Sequence, residues 1–398
     1  MTLPPAVRRW WPQLKRVHRF LTLMSGTLFR TVAPVLGSRG VARTATGRSI
    51  DTVAREPGTV ALHAGGPPVA VPRRPTPGDP AGHPVFEEER TAVVPATFTL
   101  EVTNGRLAGD FGATITPGGI LDHETSTYFG VFDWREHPLY LRPTLGRIER
   151  VEGSVLSLAA RGASGNYYHF LYDAIARYGV FEESMPGEQV DAVVVPHGTR
   201  YQRELLELAG IPGPYIQPQA DRTVRADRLL VPSNPNWALQ APPSTVSWLR
   251  DRLPAKEPPT TPQRLYLTRG SAPQTRRYLE EEELMPELER RGFVRLDPGT
   301  LSVQQQIDTF HAAEVVVAPH GAGLTNVTFS PSGVRVLELF PSTYVHRGLW
   351  AICQAIGADY RYLVATRPAR PGRHNAGISD DVSIPPDRVL RAVDELLG

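Results

Sequence analysis

Residues 314–341, EVVVAPHGAGLTNVTFSPSGVRVLELFP, decide how the rest of the chain is read. Val315, Val316, Val317 and Ala318 form an unbroken apolar run bounded by Pro319 and Gly321, the pattern of a parallel strand covered on both faces. A sharp turn with two glycines follows, then a helix start, a loop and a second buried strand. His320-Gly321-Ala322-Gly323-Leu324-Thr325-Asn326 lies at the carboxyl end of the first strand. Glycines there let the backbone approach a ligand, and the helix start aims N–H groups at it. The same glycines would serve a plain strand-to-helix turn. His320 and Asn326 favour the ligand site, because polar groups at strand ends face the crevice where open α/β sheets bind ligands.

The 398 residues, 41% hydrophobic and 21% charged, suffice for two domains with their own cores and are ordinary for a soluble globular protein. A formal net charge of +2 gives no case for nucleic acid as a partner. The one cysteine, Cys353, excludes an internal disulfide and fits a reducing compartment. Its apolar helical setting (Leu349, Trp350, Ile352, Ile356) reads as that of a core thiol.

Residues 1–50 contain no Asp or Glu but carry Arg8, Arg9, Lys15, Arg16, Arg19 and Arg30. Trp10, Trp11, Leu14, Val17, Phe20, Leu21 and Met24 recur at roughly helical spacing. Two readings stand side by side: residues 1–30 as an amphipathic helix on an anionic membrane surface, or as a basic tail. The apolar run at 20–29 is broken by Thr22, Ser25, Gly26 and Thr27, too polar for a bilayer span and too late for a signal peptide. Residues 51–94 are rich in Pro, Gly and charge, so 1–94 is expected to be a basic, Pro-rich tail and linker.

The runs TFTLEV, GATITPGGIL, STYFGVF and LYLRP predict a β-rich lead-in. An α/β domain over 95–240 contains it, with strands at 154–160, 191–195 and 228–231 and helices at 167–183 and 201–209. Residues 241–262, a short helix between Pro-rich flanks, read as a linker. A second domain over 263–370 is expected to have strands at 264–268, 293–296, 315–318, 335–339 and 361–364. Its helices are expected at 279–291, 302–312, 323–329 and 346–356. Residues 371–398 form a tail and a helix expected to pack back on the first domain. The alternation predicts an α/β fold of two Rossmann-like domains facing a cleft.

Arg269 ends the first strand of the second unit, with Arg276 and Arg277 in the loop beyond. Guanidinium forks match phosphate oxygens, so these suit a diphosphate; a solvated basic loop is the alternative. Glu338 lies inside the apolar run Val336-Leu337-Glu338-Leu339-Phe340 and needs a partner, either ribose hydroxyls or an internal arginine. In the first unit, His169 and Asp173 are four residues apart at a helix start and share a face. An imidazole beside a carboxylate acts as a general base near neutral pH, or simply packs. The chain has no Asp-x-Asp triplet, metal-ligand spacing, GxSxG elbow or Walker sequence. Their absence argues against a metal-dependent transferase, a serine hydrolase and a P-loop enzyme.

The run YLTRG…RRYLEEEEL…GFVRL…LSVQQQIDTFHAAEVVVAPHGAGLTNVTF…VRVLEL resembles glycosyltransferase family 61, and NYYHFLYDAIARY resembles that family's N-terminal motif. The likeness covers about 150–365, with HGAGLTN its most specific part. It implies a GT-B fold, an inverting mechanism with no metal or cofactor, and a nucleoside diphosphate sugar held mainly by the C-terminal domain. Carried onto this sequence, Arg269 and Arg277 would hold the diphosphate. His320, Gly321, Ala322, Gly323, Leu324 and Asn326 would line the nucleotide-sugar, and Glu338 would face the nucleoside. His169 and Asp173 would line the acceptor side and supply the base. Glu280 departs from the family's Asn after the paired arginines.

The expected activity is transfer to a saccharide or other hydroxyl acceptor in surface polysaccharide or glycoconjugate synthesis. A non-catalytic nucleotide-sugar or polysaccharide-binding protein of this fold and a GT-B-like epimerase are the alternatives. The expected location is cytoplasmic, at the inner face of the membrane if residues 1–30 meet lipid.

Overall fold

The computed structural model describes residues 11–88, 90–128, 131–261, 263–270, 276–367 and 380–398. The first ten residues of the basic tail and residues 371–379 of the C-terminal tail lie outside the described residues. The chain divides into two compact units, Met1–Pro68 with Ala96–Pro235, and Val69–Pro95 with Asn236–Gly398.

The first unit opens with α1 (Trp11–Leu36), β1 (Thr44–Thr46), α2 (Ser49–Arg55) and β2 (Val60–Ala64). Four short strands follow: β3 (Phe98–Thr103), β4 (Arg106–Ala108), β5 (Ala113–Ile115) and β6 (Ile120–Asp122). Beyond them come β7 (Arg147–Ser157), β8 (Ala192–Val194), β9 (Tyr215–Ile216) and β10 (Arg222–Pro232). One sheet takes the order β1-β6-β5-β4-β10-β7-β8-β9, with β3 also on β10 and β2 on β3. β10, β7, β8 and β9 run parallel, while β3 and β4 pair antiparallel with β10. Val155, Leu156, Val193, Leu229 and Leu230 are fully buried, so these strands carry continuous apolar runs instead of an alternation.

Between β7 and β8 lies α3, which starts as Tyr167–His169, continues as a π turn Phe170–Ile175 and ends as Ala176–Ser184. α4 (Arg200–Leu208) is started by a capping box of Thr199 and Gln202.

In the second unit, α5 (Pro243–Arg252) precedes β11 (Gln263–Leu267), α6 (Glu281–Arg290), β12 (Phe293–Leu296), α7 (Val303–His311) and β13 (Ala313–Pro319). A 3₁₀ segment (Ala322–Phe329), β14 (Arg335–Phe340), α8 (Gly348–Ile356), β15 (Asp359–Val364) and α9 (Pro386–Leu397) complete it. The strand order is β12-β11-β13-β14-β15, all parallel, with Gly78–Asp79 added beside β15. This is a doubly wound order whose direction reverses between β11 and β13. Open α/β sheets bind ligands at that switch point, outside the carboxyl ends of the strands.

Several expectations are corrected. Residues 44–94 are not linker: they hold a helix and strands, and 69–95 belong to the second unit. Phe86 packs against Trp350 and Tyr362, with ring centroids 5.5 and 4.5 Å away, and Arg73 donates to the Ala351 carbonyl at 2.9 Å. Partners distant in sequence thus order a segment whose composition reads as loop. The supposed linker at 241–262 contains α5, which buries Val246 and Leu249. Arg250 on the same helix donates to the carbonyls of Thr328 and Ser330 at 2.9 and 2.6 Å. LYLRP is a 3₁₀ turn with Leu139 and Tyr140 in the core, and the described residues of STYFGVF contribute one bridge, between Tyr128 and Val131. α9 packs on the second unit's own sheet, its Val389, Val393 and Leu396 meeting Val315, Leu337 and Met285.

Candidate functional site

The segments that leave β11 and β13 meet at the switch point. Gly321 is extended, and a Cβ there would lie 1.8 Å from Nη1 of Arg269. Its missing side chain is what lets the guanidinium lie over the backbone. Gly323 is less constrained: a Cβ there would lie 3.3 Å from Cγ of Pro298, a tight contact that a shift of a few tenths of an ångström would relieve. The first bond of the 3₁₀ segment runs from the Leu324 N–H to the Gly321 carbonyl at 3.0 Å. The N–H groups of half-buried Ala322 and Gly323 precede that bond, where a helical turn accepts an anion.

Arg276, passed over in favour of its neighbour, is the second arginine of the cluster. Its φ of 78° is in the left-handed region, and the N–H groups of Arg276 and Arg277 both donate to Oδ1 of Asp381 at 3.0 Å. That reversal turns Arg276 inward, where its Nε donates to the His320 carbonyl at 3.0 Å, and leaves Arg277 exposed. Burial pulls the Arg269 guanidinium down to about 10, repulsion by Arg276 adds to it, and Asp297 offsets part. Burial lowers Arg276 as well, with Tyr344 and Glu338 opposing. Two desolvated cations so close are a place an anion would stabilise.

Glu338 in β14 is fully buried. Its Oε1 lies 2.5 Å from Nδ1 of His320, and its Oε2 accepts from the Tyr360 hydroxyl at 2.6 Å. It therefore faces neither ribose hydroxyls nor an arginine; its two oxygens are taken by a histidine and a tyrosine. Burial pushes its carboxyl up to about 8, against the Tyr360 hydrogen bond and the charge of Arg276. His320 is driven well below the usual imidazole range by burial, then by Arg276 and Arg269. The imidazole is thus neutral, with Nδ1 held by Glu338.

His320 also stacks on Phe340, centroids 5.0 Å apart, and lies 5.5 and 5.7 Å from the rings of Tyr344 and His346. Those two stack on each other at 5.6 Å and 17°. Asn326 and Leu324 face inward instead. Asn326 is fully buried, with Nδ2 donating to Oε1 of Gln306 at 2.7 Å and to the Gly323 carbonyl at 3.1 Å. It ties the turn to α7. Leu324 is a core residue. Glu280 accepts from the Ser383 hydroxyl at 2.5 Å.

In the first unit, Asn166 starts α3 by accepting from the N–H of Tyr168 and His169 at 2.9 and 3.4 Å. Nδ1 of His169 lies 2.7 Å from Oδ2 of Asp173, their side chains 19% and 3% exposed. Oδ1 of Asp173 accepts from Asn234, beyond the end of β10, at 3.5 Å. Asp173 lies within the π turn and His169 directly before it; such turns recur at functional sites. Arg177, one turn on, is fixed by the carbonyls of Ala159 and Pro232. Burial lowers it to about 10, and Asp173 offsets part. Asp173, Arg177, Arg161, Asn234 and Glu124 line a small pocket of about 30 Å³. An aspartate on Nδ1 leaves Nε2 of His169 as the ring's proton acceptor.

The sequence points to Arg269, His320 and the pair His169 and Asp173, and to Arg276 only alongside Arg277; it does not single out Tyr344, His346, Tyr360, Asn234 or Arg177. Aromatic residues in the loop after a strand that ends beside a ligand turn would have pointed to Tyr344 and His346.

Residues 167–337 match the family model described as Glycosyltransferase 61. No curated protein matches the sequence. Among solved structures, the E. coli heptosyltransferase WaaC with ADP aligns at a TM-score of 0.30 and 9% identity. The alignment covers 62% of this chain and 100% of that one, and at such a score it carries no argument.

The His320–Glu338 pair makes stability depend on pH. Between pH 4.5 and 6.5, the ordinary values of the two groups, the unfolded chain holds its proton on the histidine and the native pair holds one on the glutamate. The proton count is equal, so the contribution is flat. From pH 6.5 to about 8 the native pair holds one proton more, and stability falls with rising pH by up to about 1.4 kcal/mol per pH unit. Urea titrations across this window should show that slope in the wild type and a flatter profile in Glu338→Gln.

Proposed function

From a chain that belongs to glycosyltransferase family 61, we propose an inverting, metal-independent transfer of a sugar from a nucleoside diphosphate donor to a hydroxyl of a saccharide or other acceptor. The reading includes a GT-B arrangement and a role in surface polysaccharide or glycoconjugate synthesis. The observation that carries it is Arg269 lying over Gly321 at the switch point of the second unit, with Arg276 buried beside it.

Breaking the bond between the anomeric carbon and the phosphate leaves negative charge on the departing diphosphate. Fixed cations and N–H groups aimed at that charge lower the barrier. Arg269, Arg276 and the first N–H groups of the 3₁₀ segment supply them without a metal. Neutral His320, held by Glu338, orients the donor and adds no positive charge that would compete with the arginines. The stacked rings of Tyr344 and His346 offer a flat face to the base or sugar.

His169 is the base of this reading. As the acceptor oxygen forms its bond to the anomeric carbon, its proton passes to Nε2 of His169, and Asp173 stabilises the imidazolium. The nucleoside diphosphate leaves with the electron pair of the broken bond. One displacement inverts the anomeric centre.

The test begins with thermal shifts against UDP, GDP, CDP, dTDP and their common sugars, with and without EDTA. The expected result is a shift with one nucleotide family that survives EDTA and disappears in Arg269→Ala. His169→Asn should keep that shift and lose about 10²- to 10⁴-fold in transfer rate. No shift with any nucleotide in folded protein would remove the donor assignment; conversion of free donor without an acceptor would favour an epimerase.

Gly321→Ala addresses the close approach directly. Its backbone suits alanine, so the protein should fold, but the methyl displaces Arg269. Donor affinity should drop by about tenfold, the loss of one charge-assisted contact. An unchanged dissociation constant, read by calorimetry, would contradict the role of that guanidinium.

A further inference from the structure

α1 presents two faces with opposite properties. On the inner face Thr22, Gly26 and Ala33 are buried. A Cβ on Gly26 would lie 3.0 Å from Cβ of Tyr140, so the glycine lets helix and core meet closely. Ser25 donates to the Tyr140 carbonyl at 2.9 Å. Arg30 lies 4.9 Å from the Trp134 ring centroid, and Arg19 pairs with Glu136 at 2.7 Å. Ala33 shares a core cluster with Ile115, Leu121 and Tyr140. The helix is therefore a built part of the first unit.

The other face is apolar and open to solvent. Phe20, Met24 and Leu28 are each 60% exposed and Val35 is 89% exposed, with Val17 and Leu21 also exposed. Steps of three, four and seven residues set these side chains on one stripe along the helix. A contiguous exposed apolar surface of this length marks an interaction site. Every charge carried by Asp, Glu, Lys or Arg in residues 1–50 is positive, and exposed Arg16 lies within this helix.

We propose that α1 lies flat on an anionic phospholipid bilayer, its exposed stripe sunk into the boundary between headgroups and acyl chains. This does not depend on the reading of the sugar-transfer site. Contrary to the expectation from residues 20–29 alone, the helical segment Arg19–Arg39 is long and apolar enough, by length and composition, to cross a bilayer, but crossing would strip Gly26 and Ala33 from the core they pack in. A second copy docked stripe to stripe would set like charges against each other, whereas an anionic lipid surface complements them.

The experiment floats the full chain with vesicles of phosphatidylcholine alone and with about one-third phosphatidylglycerol. The expected result is flotation with the anionic vesicles, weakened as salt rises. The exposed-site double variant Met24→Ser/Leu28→Ser should lose about tenfold or more in vesicle partition, with its melting temperature unchanged. Arg16→Glu should weaken binding to anionic vesicles and leave the neutral ones unaffected. Failure of the folded wild type to float with anionic vesicles would overturn the proposal. So would retention after an alkaline carbonate wash, which indicates a span. A dimer in sedimentation that the double variant abolishes, without flotation, would assign the stripe to a second copy.

Discussion

Glu338 has no solvent to turn to, and the carboxyl edge of the second sheet is arranged around its need for two hydrogen-bond partners. Burying a carboxyl without partners costs several kcal/mol, so β14 can carry one only where neighbouring elements supply them. β15 gives the Tyr360 hydroxyl, and the turn after β13 gives Nδ1 of His320. Pinning the imidazole has further effects. The ring stacks on Phe340, and the His320 carbonyl receives Nε of Arg276. Gly321, next in the chain, then comes under the guanidinium of Arg269. One buried acid thus fixes the positions of a histidine, a tyrosine and, through the turn, two arginines.

The first unit solves a related problem differently. Asp173 is almost as buried as Glu338 and is also held by a histidine, with Asn234 as its second partner. His169 keeps about a fifth of its side chain in contact with solvent, whereas His320 keeps 8% and lies against two arginines. Cations oppose protonation, so His320 suits a fixed dipole. His169 has a carboxylate on Nδ1 and keeps some access to water. A histidine held by a buried acid thus meets different surroundings in the two units.

The parallel strands were legible in the sequence because strands covered on both faces are largely apolar, as in 315–318 and, apart from Arg335 and Glu338, in 335–340. Arg269 and His320 were legible because a residue just past a strand end has its place set by the strand. Arg277 and Arg276 are not told apart by the sequence because nothing local decides between them. The choice is made by Asp381, more than a hundred residues away, which holds the backbone of both. The partner of Glu338 was equally out of reach, since Tyr360 meets it only once β14 and β15 pair. Composition misled at 51–94, where prolines suggested a linker. Arg73, Gly78–Asp79 and Phe86 are ordered by acceptors, a strand edge and rings that come late in the chain.

That early segment means the second unit is not continuous in the gene. Residues 69–95 are synthesised before most of the first unit, yet they cap the edge of β15 and cover Trp350 and Tyr362. On the ribosome they emerge long before the surfaces they bind, and the first unit can close while they wait. Recombination between relatives meets the same condition. A crossover near residue 236 would carry most of the second unit but leave its edge strand, Arg73 and Phe86 with the other parent. Exchange of the C-terminal half therefore requires two breakpoints, one on each side of 69–95, in addition to the one between the units.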